Sequence, residues 1–590
     1  MTYRAPVDDI MRALKSAAGL SDLSQRGITK GLDEETLRAV IEEAGRFGAE
    51  VLDPLNVTGD RTGSRLEDGK VVTPPGWKEA YEAFAAGGWS ALPCPEEFGG
   101  QGLPEVVSTV ACEVWNSANL SFGLCPLLTQ GAINALHAQG SEDLKRTYLP
   151  KMISGQWTGT MNLTEPQAGS DLGALTTKAE RQADGTYKIT GTKIFITYGD
   201  HEMAENIIHL VLARLTDAPA GTRGISLFVV PKYLVNADGS LGARNDVTCA
   251  SLEHKLGIHA SPTCVMKYGE QGGATGYLVG EENRGLNAMF IMMNAARLAV
   301  GVQGVAIAER ATQHAAAYAA ERKQGRAPSI DGMAPIIAHP DIRRSLLTMK
   351  SMTQAARAIC FATAREIDIS HHGETESVRQ LAAARGALLT PVAKAFSTDI
   401  ACEVASIGVQ IHGGMGFIEE TGAAQYYRDA RILPIYEGTN GIQAIDLLTR
   451  KLPLGDGKIV EAYLGELSAS VEELKASNNP SFGKMAERLS EALAALSAAS
   501  RWLGKALASD PESALAGATP YLRIFGLAAG GVYLARTAMA AARDGGDSDM
   551  SIAVARFFAE NVATAAPGLA QSVMEGATST LALSPEQLAG

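Results

Sequence analysis

The most chemically suggestive segment of the chain contains a single carboxylate. It reads RILPIYEGTNGIQ over residues 431–443, so that Glu437 lies between an apolar, aromatic run and a glycine-rich turn that predicts the start of a helix. In a dry pocket the pKa of such a glutamate rises toward neutrality, which suits a general base. Gly438 beside it lets a substrate approach the backbone closely. For Glu437 taken alone, the better interpretation is a glutamate at a helix end that interacts only with the helix dipole, not a catalytic base.

A second segment combines small residues with hydroxyl groups. It reads MNLTEPQAGSD over residues 161–171 and has the pattern of a strand end that runs into a turn. Backbone N–H groups and the hydroxyls of Thr164 and Ser170 could bind a polar ring or a phosphate there. Taken alone, a plain capped turn is again the simpler interpretation. The two segments become informative only together.

The elements that would position these segments change in type along the chain. Residues 32–153 follow a helical pattern, which the glycine- and proline-rich loop at residues 93–102 interrupts. Branched and aromatic residues separated by turn signals then predict strands over residues 158–279. Alanine-rich segments at residues 287–322 and 346–410 predict long helices with few internal breaks, and the C-terminal remainder is again helical.

This order predicts a multidomain α+β chain, with a β domain held between helical domains, and it is not the order of a doubly wound α/β protein. We expect five parts: an N-terminal extension (residues 1–31), an N-terminal helical domain (32–157), a middle β domain (158–285), a helical bundle domain that carries Glu437 (286–453) and an additional C-terminal helical domain (454–590).

Composition and charge exclude several classes of protein. With 46% apolar and 20% charged residues over 590 positions, the chain is typical of a soluble globular protein of several domains. Its net charge of −13 is spread along the sequence, which argues against nucleic acid or an anionic membrane as the main partner. The most apolar stretch near the C-terminus, residues 524–535, is shorter than the roughly 20 residues that a membrane-spanning helix needs.

Motifs for metals and nicotinamide cofactors are absent from the sequence. Seven scattered cysteines without a Cys-x-x-Cys pair indicate reduced thiols in a cytoplasmic protein and no metal site. The sequence has no P-loop and no His-Glu-x-x-His. The glycine cluster GGMG at residues 413–416 has Glu419 where a dinucleotide fingerprint needs its third glycine, and it lies between helical segments. A nicotinamide-binding Rossmann site is therefore not supported.

Several ordered motifs together resemble the acyl-CoA dehydrogenase family, in which TEPxAGSD and YEGT are signature segments. The resemblance runs from roughly residue 88 to residue 451 and includes PEEFGG at 95–100, FIT at 195–197, AERK at 320–323 and QIHGGMG at 410–416. It implies an N-terminal helical domain, a middle β-barrel or sheet domain and a C-terminal four-helix bundle. The added C-terminal helices resemble the long branch of the family, where they cover surfaces used for tetramer contacts in shorter relatives, so a homodimer is expected.

The resemblance implies that the chain binds FAD. Met161, Leu163 and Thr164 would line the isoalloxazine ring, with a hydrogen bond from the Thr164 hydroxyl, and Phe195 and Thr197 would contact its other side. A further group would hold the rest of the cofactor, in part across a subunit interface and in part beyond the base: Arg322, Gln410, Gly413, Gly414 and Thr439.

The substrate contacts implied by the resemblance lie on two segments. Ser170, Asn294 and Arg297 match positions near the CoA pantetheine and phosphates, and Ser170 is also a candidate FAD contact. Asn294 stands where many relatives have aspartate. Gly438 would lie against the thioester.

The family offers two positions for the catalytic base. A minority of members carry it on the helix that reads MNAAR here, over residues 293–297. That stretch has no carboxylate, and Ala296 occupies the alternative position. The pattern therefore leaves Glu437 as the base.

The implied reaction is the α,β-dehydrogenation of an acyl-CoA thioester to the trans-2-enoyl-CoA, with electron-transfer flavoprotein as the electron acceptor. Residues 1–11 and the chain length resemble members that act on 3-methylmercaptopropionyl-CoA in dimethylsulfoniopropionate degradation, so this is the expected substrate. Alternatives are a general fatty acyl-CoA dehydrogenase, an acyl-CoA oxidase, and a non-catalytic flavoprotein scaffold, against which the retained Glu437 counts. A membrane-associated long-chain enzyme would need a basic amphipathic helix, and the C-terminal region has no convincing one.

Overall fold

The structure is a computed structural model that describes residues 2–328, 330–544 and 548–590. Its N-terminal part is helical, apart from one short hairpin of strands β1 (Arg65–Glu67) and β2 (Lys70–Val72). The helices are α1 (Val7–Ser16), α2 (Leu20–Gln25), α3 (Glu34–Phe47), α4 (Asp53–Thr62), α5 (Trp77–Ala86), α6 (Glu105–Ala118), α7 (Leu120–Gln139) and α8 (Glu142–Ile153).

Polar side chains at the N-caps fix where several of these helices begin. Asp33 accepts a hydrogen bond from the backbone N–H of Thr36 at the start of α3, and Ser141 accepts one from Leu144 at the start of α8. Each such bond satisfies an N–H that the helix leaves unpaired, and removing the cap typically costs about 1 kcal/mol. The predicted helical character of this region is confirmed.

The middle part is a β domain. Its strands are β3 (Trp157–Asn162), β4 (Lys178–Arg181), β5 (Tyr187–Thr197), β6 (Asn206–Leu215), β7 (Ile225–Pro231), β8 (Tyr233–Val235), β9 (Leu241–Arg244), β10 (Val247–Leu252), β11 (Thr263–Tyr268) and β12 (Ala274–Val279). The main sheet has the order β10-β11-β5-β12-β7-β6-β3, and β4 pairs with β5 and β6. Most neighbours are antiparallel, whereas β3 runs parallel to β6.

Both faces of this sheet are covered. Every residue of β7 is buried, because α7, α8 and the start of α9 pack on one face and a second apolar cluster fills the other. A strand that is buried on both faces reads as a continuous apolar run, as the β7 sequence ISLFVVP does. β3 is the edge strand of this sheet, next to β6, so Thr164, two residues beyond the end of β3, also lies at the sheet edge.

Helices return after the sheet and form the bundle. They are α9 (Gly285–Glu321), α10 (Pro340–His372), α11 (Glu376–His412), α12 (Ala423–Ala430) and α13 (Asn440–Asp446). Helices α9 and α11 approach so closely that a Cβ added at Gly301 would lie 2.7 Å from the carbonyl oxygen of Ala393, and one at Gly304 would lie 2.6 Å from that of Ser397. Since both residue numbers rise together, the two helices run parallel.

The alanine-rich segment 346–410, predicted to be helical with few breaks, has one break: α10 ends at His372, and α11 starts at Glu376. The side chain of Thr375 accepts a hydrogen bond from the backbone N–H of Val378 and caps the new helix. A glycine that ends one helix, followed by a threonine cap, turns the chain back on itself and produces two antiparallel bundle helices.

The C-terminal part consists of eight helices among the described residues. They are α14 (Lys458–Ala476), α15 (Met485–Ser509), α16 (Pro511–Ala516), α17 (Ala518–Asp544), α18 (Ser548–Asn561), α19 (Ala566–Glu575), α20 (Ala577–Thr580) and α21 (Pro585–Ala589). Helix α17 packs on α10 and α11 of the bundle, and α1 packs against both α10 and α17. One apolar core therefore runs from the N-terminal helices through the bundle to α19.

Two helices in the described part of the chain are long and apolar enough to cross a membrane, Gly285–Glu321 and Ala518–Arg543. The second extends beyond the stretch 524–535 singled out in the sequence, because an apolar window tolerates an occasional charged residue. In the most apolar 18-residue stretch of each helix, 67% of the first and 78% of the second is buried inside the fold. A helix that is apolar all round and buried is also what a large protein core contains.

Candidate active site

The turn that carries Glu437 has an unusual backbone. Glu437 has φ +56° and Gly438 has φ +85°, and α13 begins two residues later with Thr439 as its cap. The left-handed conformation costs a non-glycine residue roughly 1–2 kcal/mol, so packing must hold Glu437 there. At Gly438 a Cβ would lie 2.7 Å from Nε2 of Gln443, so that glycine is required by both conformation and space.

Side chains from two helices hold this turn in place. The buried ammonium group of Lys394 on α11 donates to the carbonyl oxygen of Gly438 at 2.9 Å and to Oδ1 of Asn440 at 2.8 Å. Gln443 on α13 donates to the carbonyl oxygens of Glu437 and Gly438, both at 3.3 Å. Several contacts thus fix the backbone of the turn at Glu437, as a strained functional residue requires.

The electrostatic surroundings of Glu437 suit a base that works near neutral pH. Burial raises the pKa of Glu437 to about 7, while the positive charges of Arg297 and Lys394 act in the opposite direction. The same burial lowers the pKa of Lys394 to about 7, against the effect of the Glu437 charge. A carboxylate with this pKa is able both to accept a proton at neutral pH and to hold it.

Two polar groups of Glu437 have no partner among the residues that the structure describes. None of these residues donates a hydrogen bond to the carboxylate, and none accepts one from the Glu437 backbone N–H. A ligand in front of this turn would therefore meet one free acceptor and one free donor on the same residue. That pair can take a proton from a carbon acid while it binds the adjacent oxygen.

Arg297 lies deeper than its predicted contact with CoA phosphates suggests. It is only 6% exposed, and Nη1 lies 3.9 Å from Oδ2 of Asp446 and donates to Oδ1 of Asn294 at 3.2 Å. Asn294 itself is exposed on α9. Since Arg297 also lowers the pKa of Glu437, its buried position bears on the charge of the base.

A buried chain of hydrogen bonds leads away from the base. The hydroxyl of Tyr436 donates to Oε1 of Gln303, whose Nε2 donates to Oδ1 of Asn116 at 3.1 Å. Asn116 in turn donates from Nδ2 to the carbonyl oxygen of Cys112 at 2.8 Å. Asn116 and Cys112 both line a cavity beside α6.

A cavity of about 80 Å³ lies between α5, α6, α7 and the first half of α9. Ala296, next to Arg297, lines its α9 side, so the absence of a carboxylate at that position leaves this wall apolar. Aromatic rings form another wall. The Trp115 ring contacts Trp89 at 5.5 Å and Phe84 at 4.8 Å between centroids, both in edge-to-face geometry.

The second predicted segment lies at the edge of the sheet. Met161 is the penultimate residue of β3, and the carbonyl oxygen of Thr164 accepts a hydrogen bond from the backbone N–H of Ile194 on β5 at 2.9 Å. Met161, Leu163 and Thr164 are all partly exposed. The fold therefore brings this segment next to the end of β5.

A buried ion pair fixes that junction. Glu165 and Lys193 are 1% and 0% exposed, with 2.8 Å between Oε1 and Nζ, and Lys193 also donates to the carbonyl oxygen of Leu163 at 2.9 Å. The hydroxyls and backbone N–H groups of Thr176 and Thr177 donate to the same carboxylate. Although burial opposes ionisation, these partners lower the pKa of Glu165 to about 2.

At the end of β5, Phe195 has φ +61° and its side chain is 59% exposed, and the partly exposed Thr197 follows two residues later. A phenylalanine is rarely held in the left-handed conformation with its ring in solvent, because both features cost free energy. The arrangement is typical of a surface that a flat ligand covers. Ser170 is exposed in the loop beyond Thr164.

The other predicted FAD contacts lie at the far end of the bundle. Arg322 follows the last residue of α9, and Gln410, Gly413 and Gly414 lie where the parallel helix α11 ends; all four are exposed. Along α9, Arg297 is 24 residues from Glu321, or about 36 Å at 1.5 Å per residue. Within one chain these four residues are therefore far from Glu437, whereas Thr439 lies beside it.

Sequence reasoning missed several residues of this site. Lys394 lies within an alanine-rich helix, and only the packing of α11 against the turn reveals its contact with Gly438. Asp446 and Gln303 were likewise overlooked. Glu165 belongs to the TEPxAGSD segment, but its buried pair with Lys193 could not be predicted, because only the fold brings the two residues together.

Family models match four successive parts of the chain. The acyl-CoA dehydrogenase N-terminal domain matches residues 34–156, the middle domain matches 160–269, the C-terminal domain matches 283–452 and an acetyl-CoA dehydrogenase C-terminal-like domain matches 463–584. Among curated proteins, 3-methylmercaptopropionyl-CoA dehydrogenase of Ruegeria pomeroyi is 52% identical over 572 residues, which cover 95% of this chain and 96% of that protein.

Solved structures share the fold over nearly the whole length. ACDH-11 of Caenorhabditis elegans in complex with C11-CoA has a TM-score of 0.77 at 22% identity, with 95% of this chain and 91% of that chain covered. An acyl-CoA dehydrogenase of Bacillus anthracis complexed with FAD has a TM-score of 0.75 at 21% identity, with 95% and 90% covered. The predicted fold is confirmed, and the chain belongs to the acyl-CoA dehydrogenase family.

Proposed function

We propose that this enzyme is an FAD-dependent dehydrogenase that converts 3-methylmercaptopropionyl-CoA to its α,β-unsaturated thioester, with Glu437 as the base. One observation carries the proposal: the Glu437 carboxylate has a pKa of about 7, and both it and the backbone N–H of the same residue are free of protein partners among the described residues. The name of the Ruegeria pomeroyi relative supplies the acyl group.

The cavity supports a short acyl chain that contains sulfur. Its volume of about 80 Å³ suits a short acyl chain, and the rings of Trp89 and Trp115 line it together with Cys112. A thioether gains about 0.3–1.5 kcal/mol from contacts with aromatic ring edges. A thioether sulfur would therefore be better matched to this wall than the methylene group that takes its place in the isosteric straight chain.

The exposed groups at the sheet edge fit a flavin. The isoalloxazine would lie against the exposed ring of Phe195 and the side chains of Met161 and Leu163. The hydroxyls of Thr164 and Thr197 would bind its polar atoms. Thr439 would contact FAD next to the base. FAD, when bound, supplies the acceptor for the hydride that leaves the β-carbon.

The chemistry assigned to the protein is proton removal and charge stabilisation. Glu437 would take the α-proton, and its own N–H would donate to the thioester oxygen as negative charge develops there. Gly438, which has no side chain, would let the thioester lie against the backbone. Arg297, which is buried, would keep the Glu437 pKa near neutrality, and the exposed Asn294 and Ser170 would face the CoA moiety.

We further propose that the enzyme is a homodimer with flavin sites shared between chains. In one chain Arg322 follows about 36 Å of α9 beyond Arg297, and Gln410 lies about 24 Å of α11 beyond Lys394, with Gly413 and Gly414 farther on, so these residues would serve the partner's cofactor. Beside them an exposed apolar patch is formed by Met415, Phe417 and Ile418, with Phe417 86% exposed. Such a patch is typical of a surface that another chain covers.

The remaining assignments follow the family. Electron-transfer flavoprotein would reoxidise the flavin, and the enzyme would act in the cytoplasm without a membrane or nucleic acid as partner. The five-part division of the chain, with boundaries near residues 31, 157, 285 and 453, also remains a proposal.

The function is tested by anaerobic mixing of the purified yellow protein with a panel of acyl-CoAs. Loss of flavin absorbance should be fastest with 3-methylmercaptopropionyl-CoA and slower with the isosteric straight chain, pentanoyl-CoA, and with palmitoyl-CoA. Equal rates with the thioether and its isostere would contradict the substrate, and absence of bleaching with every acyl-CoA would contradict the reaction. Peroxide formation in air in place of electron-transfer-flavoprotein reduction would identify an oxidase.

A further inference from the structure

A polar pocket lies where three parts of the chain meet. Its volume is about 230 Å³, and its walls come from the end of α1 and the turn after it, from α10 and α11 of the bundle, and from α14 and α17 of the C-terminal helices. None of the residues assigned to the base, the flavin or the thioester lines it. The pocket is therefore a separate site.

Three arginines from three different helices line this pocket, Arg365, Arg385 and Arg536. Carboxylates already satisfy the first, because its terminal nitrogens lie 2.6 Å from Asp22 and 2.5 Å from Glu366. Arg385 and Arg536 have fewer protein partners than Arg365 among the described residues.

Arg385 is only partly satisfied by the protein. One of its terminal nitrogens pairs with Glu466, whose side chain is 49% exposed, whereas its Nε is buried and has no hydrogen-bond partner among the described residues. A buried guanidinium N–H without a partner carries a desolvation cost that a bound acceptor would remove.

Arg536 has no carboxylate within ion-pair distance in the part of the chain that the structure describes. Its Nε donates to the hydroxyl of Ser470 at 2.9 Å, and the guanidinium lies over the ring of Tyr533 at 5.3 Å. Its terminal nitrogens make no hydrogen bond with described residues. Asp22, Glu366 and Glu466 therefore offset the charges of Arg365 and Arg385, and the positive charge that stays without a described carboxylate partner is that of Arg536.

Hydroxyl groups complete the lining. The hydroxyls of Tyr463 and Tyr533 lie 3.0 Å apart, so one donates to the other and the second keeps its O–H for a ligand, whereas the hydroxyl of Ser16, at the end of α1, already donates to the carbonyl oxygen of Arg12. Guanidinium forks and hydroxyl donors are the groups that bind oxyanions in proteins. The volume is below the roughly 300–1,000 Å³ of typical ligand pockets, so the ligand would be small.

We propose that this pocket binds a small dianionic oxyanion, a phosphate monoester or a short dicarboxylate, which joins the N-terminal extension, the bundle and the C-terminal helices. The ion would accept hydrogen bonds from Arg385 and Arg536 at the same time. Because it contacts all three parts, its binding stabilises their docking by mass action.

The test uses the FAD-loaded enzyme, titrated with inorganic phosphate or with succinate in a calorimeter and in thermal unfolding, against chloride at equal ionic strength. We expect a saturable heat with one site per chain and a rise in Tm that chloride does not produce. Binding of phosphate alone identifies a phosphate ligand and binding of succinate alone a dicarboxylate, and each supports the proposal. If neither anion binds, the proposal is overturned.

Variants locate the binding. Arg536→Gln should weaken the anion at least about tenfold, since a hydrogen bond to a charged group contributes about 1.5–3 kcal/mol. Arg385→Gln offers an independent second variant, because the half-exposed Glu466 can be solvated by water. The matched control, Arg501→Gln, removes an exposed arginine of α15 and should leave affinity unchanged. Wild-type affinity in both pocket variants would show that the anion binds elsewhere and would overturn the proposal.

Discussion

At the scale of single residues, the catalytic turn depends on opposing effects on one carboxylate. Burial raises the pKa of Glu437, and the charges of Arg297 and Lys394 lower it, with a result of about 7. Because Glu437 must be deprotonated to accept the α-proton, flavin reduction should slow as the pH falls through about 7. Because the pKa of this carboxyl group is raised, Glu437 is protonated and activity is lost at pH values below about 7.

Lys394→Met tests this balance. The variant removes a positive charge near Glu437, so the pKa of Glu437 should rise and the acidic limb of the pH profile should move to higher pH. At pH 7 the rate of flavin reduction should fall several-fold, while the rate on the alkaline plateau should fall less. The exposed Lys458 provides the control, because Lys458→Met should leave the profile in place. A uniform loss of rate at every pH would instead indicate a purely structural role.

The residue scale also marks the limit of sequence reasoning. Glu437 could be found because its neighbours form a recognisable segment, and its pKa was expected to rise. The partner that holds its turn could not be found, because Lys394 is 43 residues away in sequence and belongs to an unremarkable helix. Only the packing of α11 against α13 brings the two together.

At the scale of elements, the junction of β3 and β5 depends on the buried pair Glu165–Lys193. Glu165→Gln leaves the Lys193 charge without a counter-charge, and breaking a buried pair in this way typically costs about 3–5 kcal/mol. We expect a lower Tm and a weaker hold on FAD, measured by thermal unfolding and by flavin content after gel filtration.

The double variant Glu165→Gln/Lys193→Met is the control for this pair. It removes both charges, so part of the lost stability should return, and the coupling between the two substitutions should be favourable. Additive losses of stability in the double variant would contradict the assignment of the pair as the feature that holds the junction.

The composition of each segment predicts whether it forms a helix or a strand, but not where the element ends or which element it packs against. Branched residues predicted the strands and alanine predicted the bundle helices, but the parallel pairing of β3 with β6 depends on sheet topology. The position of the break at Gly373 could not be predicted, because one glycine in an alanine-rich run is compatible with a continuous helix. It ends α10 only because the threonine cap two residues later favours a new start.

At the scale of the whole molecule, the C-terminal helices dock on the bundle through a close contact. A Cβ at Gly526 of α17 would lie 2.1 Å from the ring of the buried Phe396 on α11. Gly526→Ala should therefore destabilise the protein by about 1–3 kcal/mol through overpacking. Gly504 of α15 is exposed with open space around it, so Gly504→Ala should stabilise by up to about 1 kcal/mol. Equal Tm shifts in the two variants would contradict this docking.

Sharing of sites between chains predicts complementation. Arg322→Ala and Glu437→Gln should each inactivate a homodimer, in the first case through loss of the cofactor contact across the interface. A heterodimer of the two variants would contain one site with an intact Glu437 from one chain and an intact Arg322 from the other. Co-expressed and tandem-purified heterodimers should therefore recover about half of the wild-type activity per dimer, and no recovery would mean that each site is built from one chain.

The proposed reaction depends most directly on Glu437 as the base. Anaerobic stopped-flow reduction of the flavin by 3-methylmercaptopropionyl-CoA should be at least about 10²–10⁴-fold slower in Glu437→Gln than in the wild type, because a positioned general base contributes that much to the rate. FAD content, Tm and the tightness of acyl-CoA binding should stay near wild-type values, since glutamine preserves the shape of the side chain. Flavin reduction at the wild-type rate in this variant would contradict the assignment of Glu437.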